Sequence, residues 1–331
     1  MQAGDFTVRF FSFAWALLLL AAPALAENPP GAFTVLLDND IFFDSDRDYT
    51  NGVQLAYTTP ADSAPDTIVE FARRLPFFAA AGSVRKSFAL GQNIYTPADT
   101  DLADPPASER PYAGYLYAAV GLMEENPDRL DQLQLQLGVV GPASLAGNAQ
   151  KWVHSILGQA KPQGWHYQLR DEPALNLAYE RSLKLIPPQS VLGLVLDIEP
   201  HIGGAVGNVY DYANAGAMMR FGFNLPGDFG PLRIDPSLPG SNFFEPADAV
   251  SAYVFAGVDG RAIARNIFLD GNTWQPSRSV VKKNLVGDLE LGAALTFRHV
   301  RLAFTHVFRT REYKAQPKSD QFGAVSLSFR L

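Results

Sequence analysis

The chain has 331 residues, no cysteine and a formal net charge of −7. The acidic balance gives no electrostatic footing for nucleic acid, and the lack of cysteine excludes disulfide scaffolds and thiolate metal sites.

Arg9 precedes an apolar run from Phe10 to Ala22, and Pro23 leads into the small-residue site Ala24-Leu25-Ala26. This pattern predicts a cleaved signal peptide over residues 1–26 and one barrel domain over 27–331. The run is shorter than the ~20 residues of a spanning helix. No later stretch is long and apolar enough to cross a membrane as a helix.

Beyond the leader, period-2 alternation takes over. Gln132, Gln134 and Gln136 interleave with Leu133, Leu135 and Leu137, and Val195, Asp197, Glu199 and His201 interleave with Leu194, Leu196 and Ile198. Such alternation predicts strands over 33–39, 51–60, 86–95, 111–124, 129–141, 173–187, 190–207, 210–225, 249–266, 282–297, 300–310 and 321–331. Most are near the ~10 residues a tilted strand needs to cross a bilayer, with one apolar face and one small or polar face. The expectation is all-β: a twelve-stranded antiparallel transmembrane β-barrel. It ends on Val325, Leu327, Phe329 and Leu331, like the terminal strand of outer-membrane barrels. Closure removes the unpaired edges that hydrocarbon does not tolerate.

With the N-terminus in the periplasm, loops after odd strands face outward: 40–50, 96–110, 142–172, 202–209, 267–281 and 311–320. Nearly every unusual segment falls on that face. The periplasmic links 61–85, in which "DTIVEFARRL" reads as a short helix, and 226–248 carry no assigned role.

The first outer loop is rich in aspartate. Asp44, Asp46 and Asp48 match the first EF-hand ligand positions, but Tyr49 stands where glycine is needed and Leu55 where glutamate is needed, so an EF-hand is rejected. Aspartates in an exposed turn are commonly solvated, and that is the alternative reading for Asp44 and Asp46. Asp38, Asn39 and Asp40 sit between apolar neighbours at the end of the first strand, and Thr50 and Asn51 return beside them on the second. Partly buried carboxylates need a cation or donors, and hard oxygen ligands suit Ca²⁺. The third outer loop holds one convincing helix, "GNAQKWVHSILG". Gln150 and His154 share one face at four-residue spacing, while Val153, Ile156 and Leu157 form an apolar side for the wall or the outer leaflet. A neutral imidazole is the usual general base near neutral pH, which makes His154 the candidate.

The set "DNDIFFDSDRDYTNG", "QNIYTP", "ERPYAG", "WVHSILG", "GWHYQLRDEP" and "NIFLDGNT", in this order, resembles the outer-membrane lipid A 3′-O-deacylase family. The resemblance implies an outer-membrane enzyme, a carboxylic ester hydrolase whose site lies at the outer leaflet between the wall and a loop helix. It implies Ca²⁺-dependent cleavage of the ester holding the 3′ acyl chains of lipid A. By position it implies catalytic roles for Asn39, Asp40, Thr50, Gln150 and His154, with Asn39 and Asp40 at the metal. Members can carry a carboxylate six residues after the histidine, where this chain has Ala160, and Glu172 is the substitute candidate for a metal ligand. The second outer loop lacks the basic residues members carry, leaving Arg110 and Tyr112 of "ERPYAG" as substrate contacts. The partners expected are lipid A within lipopolysaccharide and membrane lipid, and the chain is expected to act as a monomer. The competing readings are a transport or structural barrel, which for transport requires an open lumen, and another outer-membrane lipid esterase or phospholipase.

Overall fold

The structure is a computed structural model. It describes residues 31–39, 48–63, 66–74, 78, 82–184, 189–191, 193–231, 243–244 and 247–331. The expected signal peptide lies outside the described residues, as do Asp40, Asp44 and Asp46.

The strands are β1 (Ala32–Asn39), β2 (Asp48–Thr58), β3 (Ser83–Thr96), β4 (Ala113–Asn126), β5 (Arg129–Val140), β6 (Glu172–Leu183), β7 (Gln189–Val191), β8 (Leu194–Gly207), β9 (Tyr210–Phe223), β10 (Ala247–Asn266), β11 (Leu285–Arg298), β12 (Val300–Arg309) and β13 (Asp320–Arg330). The helices are α1 (Asp66–Arg74), α2 (Ala146–Leu157) and α3 (Ile267–Asp270). None of them is long and apolar enough to cross a membrane. Neighbouring strands pair antiparallel, β1 pairs with β13, and β8 pairs with both β6 and the stub β7 on the same edge. The twelve long strands therefore form a closed barrel, as the alternation predicts. The expected outer loop 202–209 shrinks to Asn208-Val209, because β8 runs to Gly207 and β9 starts at Tyr210.

Alternation sorts the side chains. Leu55, Leu90, Val120, Leu137, Leu175, Val206, Val254, Leu289 and Phe304 are exposed on the outer wall, where lipid would cover them. The inward set is buried and mostly polar. At the turn end Arg220 bonds Asp197 (2.5 Å), Glu199 (2.8 Å) and Asp228 (2.7 Å), and Arg301 bonds the other Asp228 oxygen (2.9 Å). In mid-barrel Asp259 accepts from Asn214 at 3.0 Å and lies 3.0 Å from His201, while Arg261 and Arg309 share Asp288. At the loop end the Tyr95 and Tyr210 hydroxyls meet at 2.8 Å. The Phe268 ring, carried in by α3, stacks on Tyr95 at 4.0 Å.

These polar and aromatic layers cross the described lumen from the turn end to the loop end. The described residues of the link 226–248 gain a structural role. Asp228, Phe229, Phe243 and Phe244 are all buried, and the Arg85 guanidinium lies 3.4 Å from the Phe243 ring centre. These four described residues pack at the turn-end mouth.

Candidate functional site

The candidate site is built on the outer face of the wall, where β1 to β4 reach the loop end. Register places Asn39 opposite Asn51, Asn51 opposite Ile94, and Ile94 opposite Gly114. Directly paired residues share a face, so these four form one row along the outer wall. Two inter-strand steps separate Asn39 from Ile94, roughly 10 Å. The β2–β3 register slips between Tyr49 and Asn51, which makes Thr50 the extra residue of a bulge. Asp38 leaves the cluster that the sequence suggests. Alternation turns it into the lumen, where it is buried and accepts from the Tyr49 hydroxyl at 3.3 Å.

The helix α2 docks on the far end of this row. Gly114 makes room for it, since a Cβ there would collide with Ser144 and Ala146. Gln92 of β3 donates to the Ser144 carbonyl (2.6 Å) and ties down the 3₁₀ turn that precedes the helix. Ile94, Tyr112, Ala146 and Trp165 form the buried cluster beneath it, with Ala149 against them.

The buried face of α2 is the polar one. Gln150 and His154 are each 3 % exposed, whereas Trp152 is 59 % exposed and Ile156 44 %. Of the apolar side expected, Val153 and Leu157 are half-buried and Ile156 is exposed. Small alanines at 146 and 149 let the helix approach closely, and the longer polar pair fills the seam.

His154 is oriented by its own helix end. Gly158 adopts φ 71°, a left-handed cap that favours glycine, and its N–H bonds the His154 carbonyl. The reversal brings the Ala160 carbonyl to 2.6 Å from His154 Nδ1. A carbonyl only accepts, so Nδ1 carries the proton and Nε2 of the neutral ring carries the lone pair. The main chain at Ala160 thus orients the imidazole at the position where a side-chain carboxylate was sought. His166, by contrast, is exposed and packs edge-on against Tyr167.

Three other expected residues are employed elsewhere. Glu172 Oε1 accepts from Asn208, and Oε2 accepts from Asn272 (3.1 Å) and from the Thr273 backbone N–H (2.7 Å). It clasps three outer loops together. Arg110 is buried, bonds Glu312 at 3.2 Å and lies over the Tyr95 ring. Tyr112 is buried against Trp165, and its hydroxyl donates to the Thr100 carbonyl. Trp165 itself drew no role from the sequence. Its only signal was its place within a motif.

The family model described as outer membrane protein LpxR matches residues 13–331. The chain belongs to the LpxR family. Its barrel is accordingly an outer-membrane barrel. The solved LpxR from Salmonella typhimurium matches with a TM-score of 0.74 at 19 % identity, covering 91 % of this chain and 100 % of that one. At that identity the match speaks for the fold. The β domain of the Bordetella autotransporter BrkA gives 0.44 at 8 % identity over 91 % of this chain and 98 % of its own. The translocator domain of NalP from Neisseria meningitidis gives 0.39 at 8 % identity over 99 % and 98 %. No curated protein matches the sequence.

Proposed function

We propose that this LpxR-family barrel is a Ca²⁺-dependent lipid A 3′-O-deacylase. It hydrolyses the ester-linked 3′ acyl chains of lipid A in the outer leaflet, as a monomer exported by the leader at 1–26. The observation that carries the reading is the pairing of buried Gln150 with buried, Nδ1-anchored His154 in the seam between α2 and the outer wall. A lipid lying along that wall meets the seam from the membrane side, with exposed Trp152 and Ile156 as its apolar neighbours.

His154 Nε2 takes a proton from water as the water oxygen bonds to the ester carbonyl carbon. The ring then returns that proton to the sugar 3′ oxygen as its bond to the acyl carbon breaks. The fatty acid departs into the leaflet. The donor chemistry suits Ca²⁺: Asn39 carries a carboxamide oxygen on the wall patch, and Asp40, the next residue in sequence, carries a carboxylate. Bound there, Ca²⁺ would supply Lewis acidity to the ester carbonyl. Thr50, at the bulge beside Asn51, keeps the catalytic role that the family resemblance implies for it. Glu172, Arg110 and Tyr112 serve the scaffold in this reading.

Purified protein should release fatty acid from lipid A. Excess chelator should abolish release and added Ca²⁺ should restore it, and Asp40→Ala should remove about 2.7–4 kcal/mol of transition-state stabilisation. Undiminished release in chelator would remove the metal from the account. Release from glycerophospholipid but not from lipid A would replace the deacylase with a phospholipase.

A further inference from the structure

The Trp165 indole N–H donates to Gln150 Oε1 at 2.8 Å, and both side chains are buried. An indole nitrogen can only donate, so chemistry fixes which end of the Gln150 amide faces it. The Nε2 amino group is turned the other way. It is buried and has no hydrogen-bond partner among the described residues. Burying a donor without an acceptor is unfavourable, and such a group in a seam beside a base marks a place for a ligand oxygen.

Trp165 has little freedom to let the amide turn. Its ring packs on Tyr112 with centroids 5.0 Å apart, and Gly147 of α2 faces it so closely that a Cβ there would lie 2.9 Å from the indole. Behind Tyr112, Gly164 clears the ring in the same way. The 3₁₀ turn Gly164–Tyr167 holds this stack against the helix. One turn along the same helix face stands His154.

We infer that Gln150 donates through Nε2 to the acyl carbonyl oxygen as it gains charge, and that Trp165 is the positioning residue that keeps this donor end available. The inference rests on the hydrolytic reading above and extends it to an amide donor and to the residue that orients it. Without the indole N–H, the amide can rotate and present Oε1, which repels a developing oxyanion.

The test is a double-mutant cycle in lipid A hydrolysis by purified, folded barrel, with folding checked by heat-modifiable gel mobility. Gln150→Ala should lower kcat by about 10²–10³, the loss typical of one oxyanion donor. Trp165→Phe keeps an aromatic ring but no donor, and should lower kcat by about tenfold or more while leaving KM nearly unchanged. The double variant should be no slower than Gln150→Ala alone, because Trp165 acts only through the amide. Multiplying losses would make Trp165 a packing residue and overturn the inference, as would full activity of Trp165→Phe. A fully active Gln150→Ala beside an inactive His154→Ala would overturn it while leaving the hydrolase standing. An inactive wild-type protein would overturn the hydrolytic reading itself.

Discussion

Replacing His154 with alanine should slow ester hydrolysis by about 10²–10⁴, the range for losing a positioned general base. The expectation rests on burial in the seam and on the Ala160 carbonyl that commits Nδ1 to donation and leaves Nε2 to accept. Lipid A binding should change little, because the ring works on water and offers small contact area to acyl chains. His166→Ala is the internal control. It belongs to the same loop, is exposed, and should keep wild-type rates. If His166→Ala loses activity while His154→Ala keeps it, the base is misassigned. If both stay active, water activation by histidine must be abandoned.

Asp228→Asn should cost about 3–5 kcal/mol of barrel stability, the penalty for breaking a buried ion pair and leaving its partners uncompensated. Arg220 and Arg301 both lean on this carboxylate inside the turn-end mouth. Burial alone would raise the Asp228 pKa, but the charges of Arg301 and then Arg220 outweigh it and hold the carboxyl below its ordinary value of 3.8. The folded value is depressed, so the stabilisation is complete above that ordinary value and is lost as pH falls through the lower folded one. The temperature at which heat-modifiable gel mobility changes should drop for Asp228→Asn near neutral pH. The gap to wild type should narrow in strong acid. An unchanged transition at neutral pH would show that the Asp228 ion pairs do not stabilise the turn end of the barrel. The catalytic rate at low temperature should be preserved, since the site lies at the other end of the barrel.

The barrel was legible because its signal repeats. Each strand alternates, and Gln132 to Leu137 or Leu194 to His201 carries the pattern without help from distant residues. Strand ends were less legible. The segment predicted over 190–207 splits into β7 and β8, and the outer loop at 202–209 is nearly all strand. Hydrogen-bond partners decide such ends, and they lie on other strands. The site was legible where spacing alone sets the geometry, as with Gln150 and His154 on one helix face.

It was illegible where long-range contacts decide. Arg110 reads as a substrate contact in "ERPYAG", and nothing in the sequence signals that Glu312, some two hundred residues later, pairs with it. Glu172 reads as a spare carboxylate until Asn208, Asn272 and Thr273 converge on it. Asp38 and Asn39 look like one cluster, yet adjacent strand residues point to opposite faces, and only Asn39 is on the wall. The helix docks by its alanines and its polar pair because Gly114 clears the approach. A hydrophobic count over α2 does not register that clearance.

The central claim is that His154 and its neighbours cleave the 3′ ester of lipid A. The most direct measurement is mass spectrometry of lipid A from cells expressing the wild-type chain or His154→Ala at equal barrel levels. Lipid A should lose the complete 3′-linked acyl mass with the wild-type chain and stay intact with the variant. Lipid A of identical mass in both, or loss of the same acyl mass in both, would contradict it.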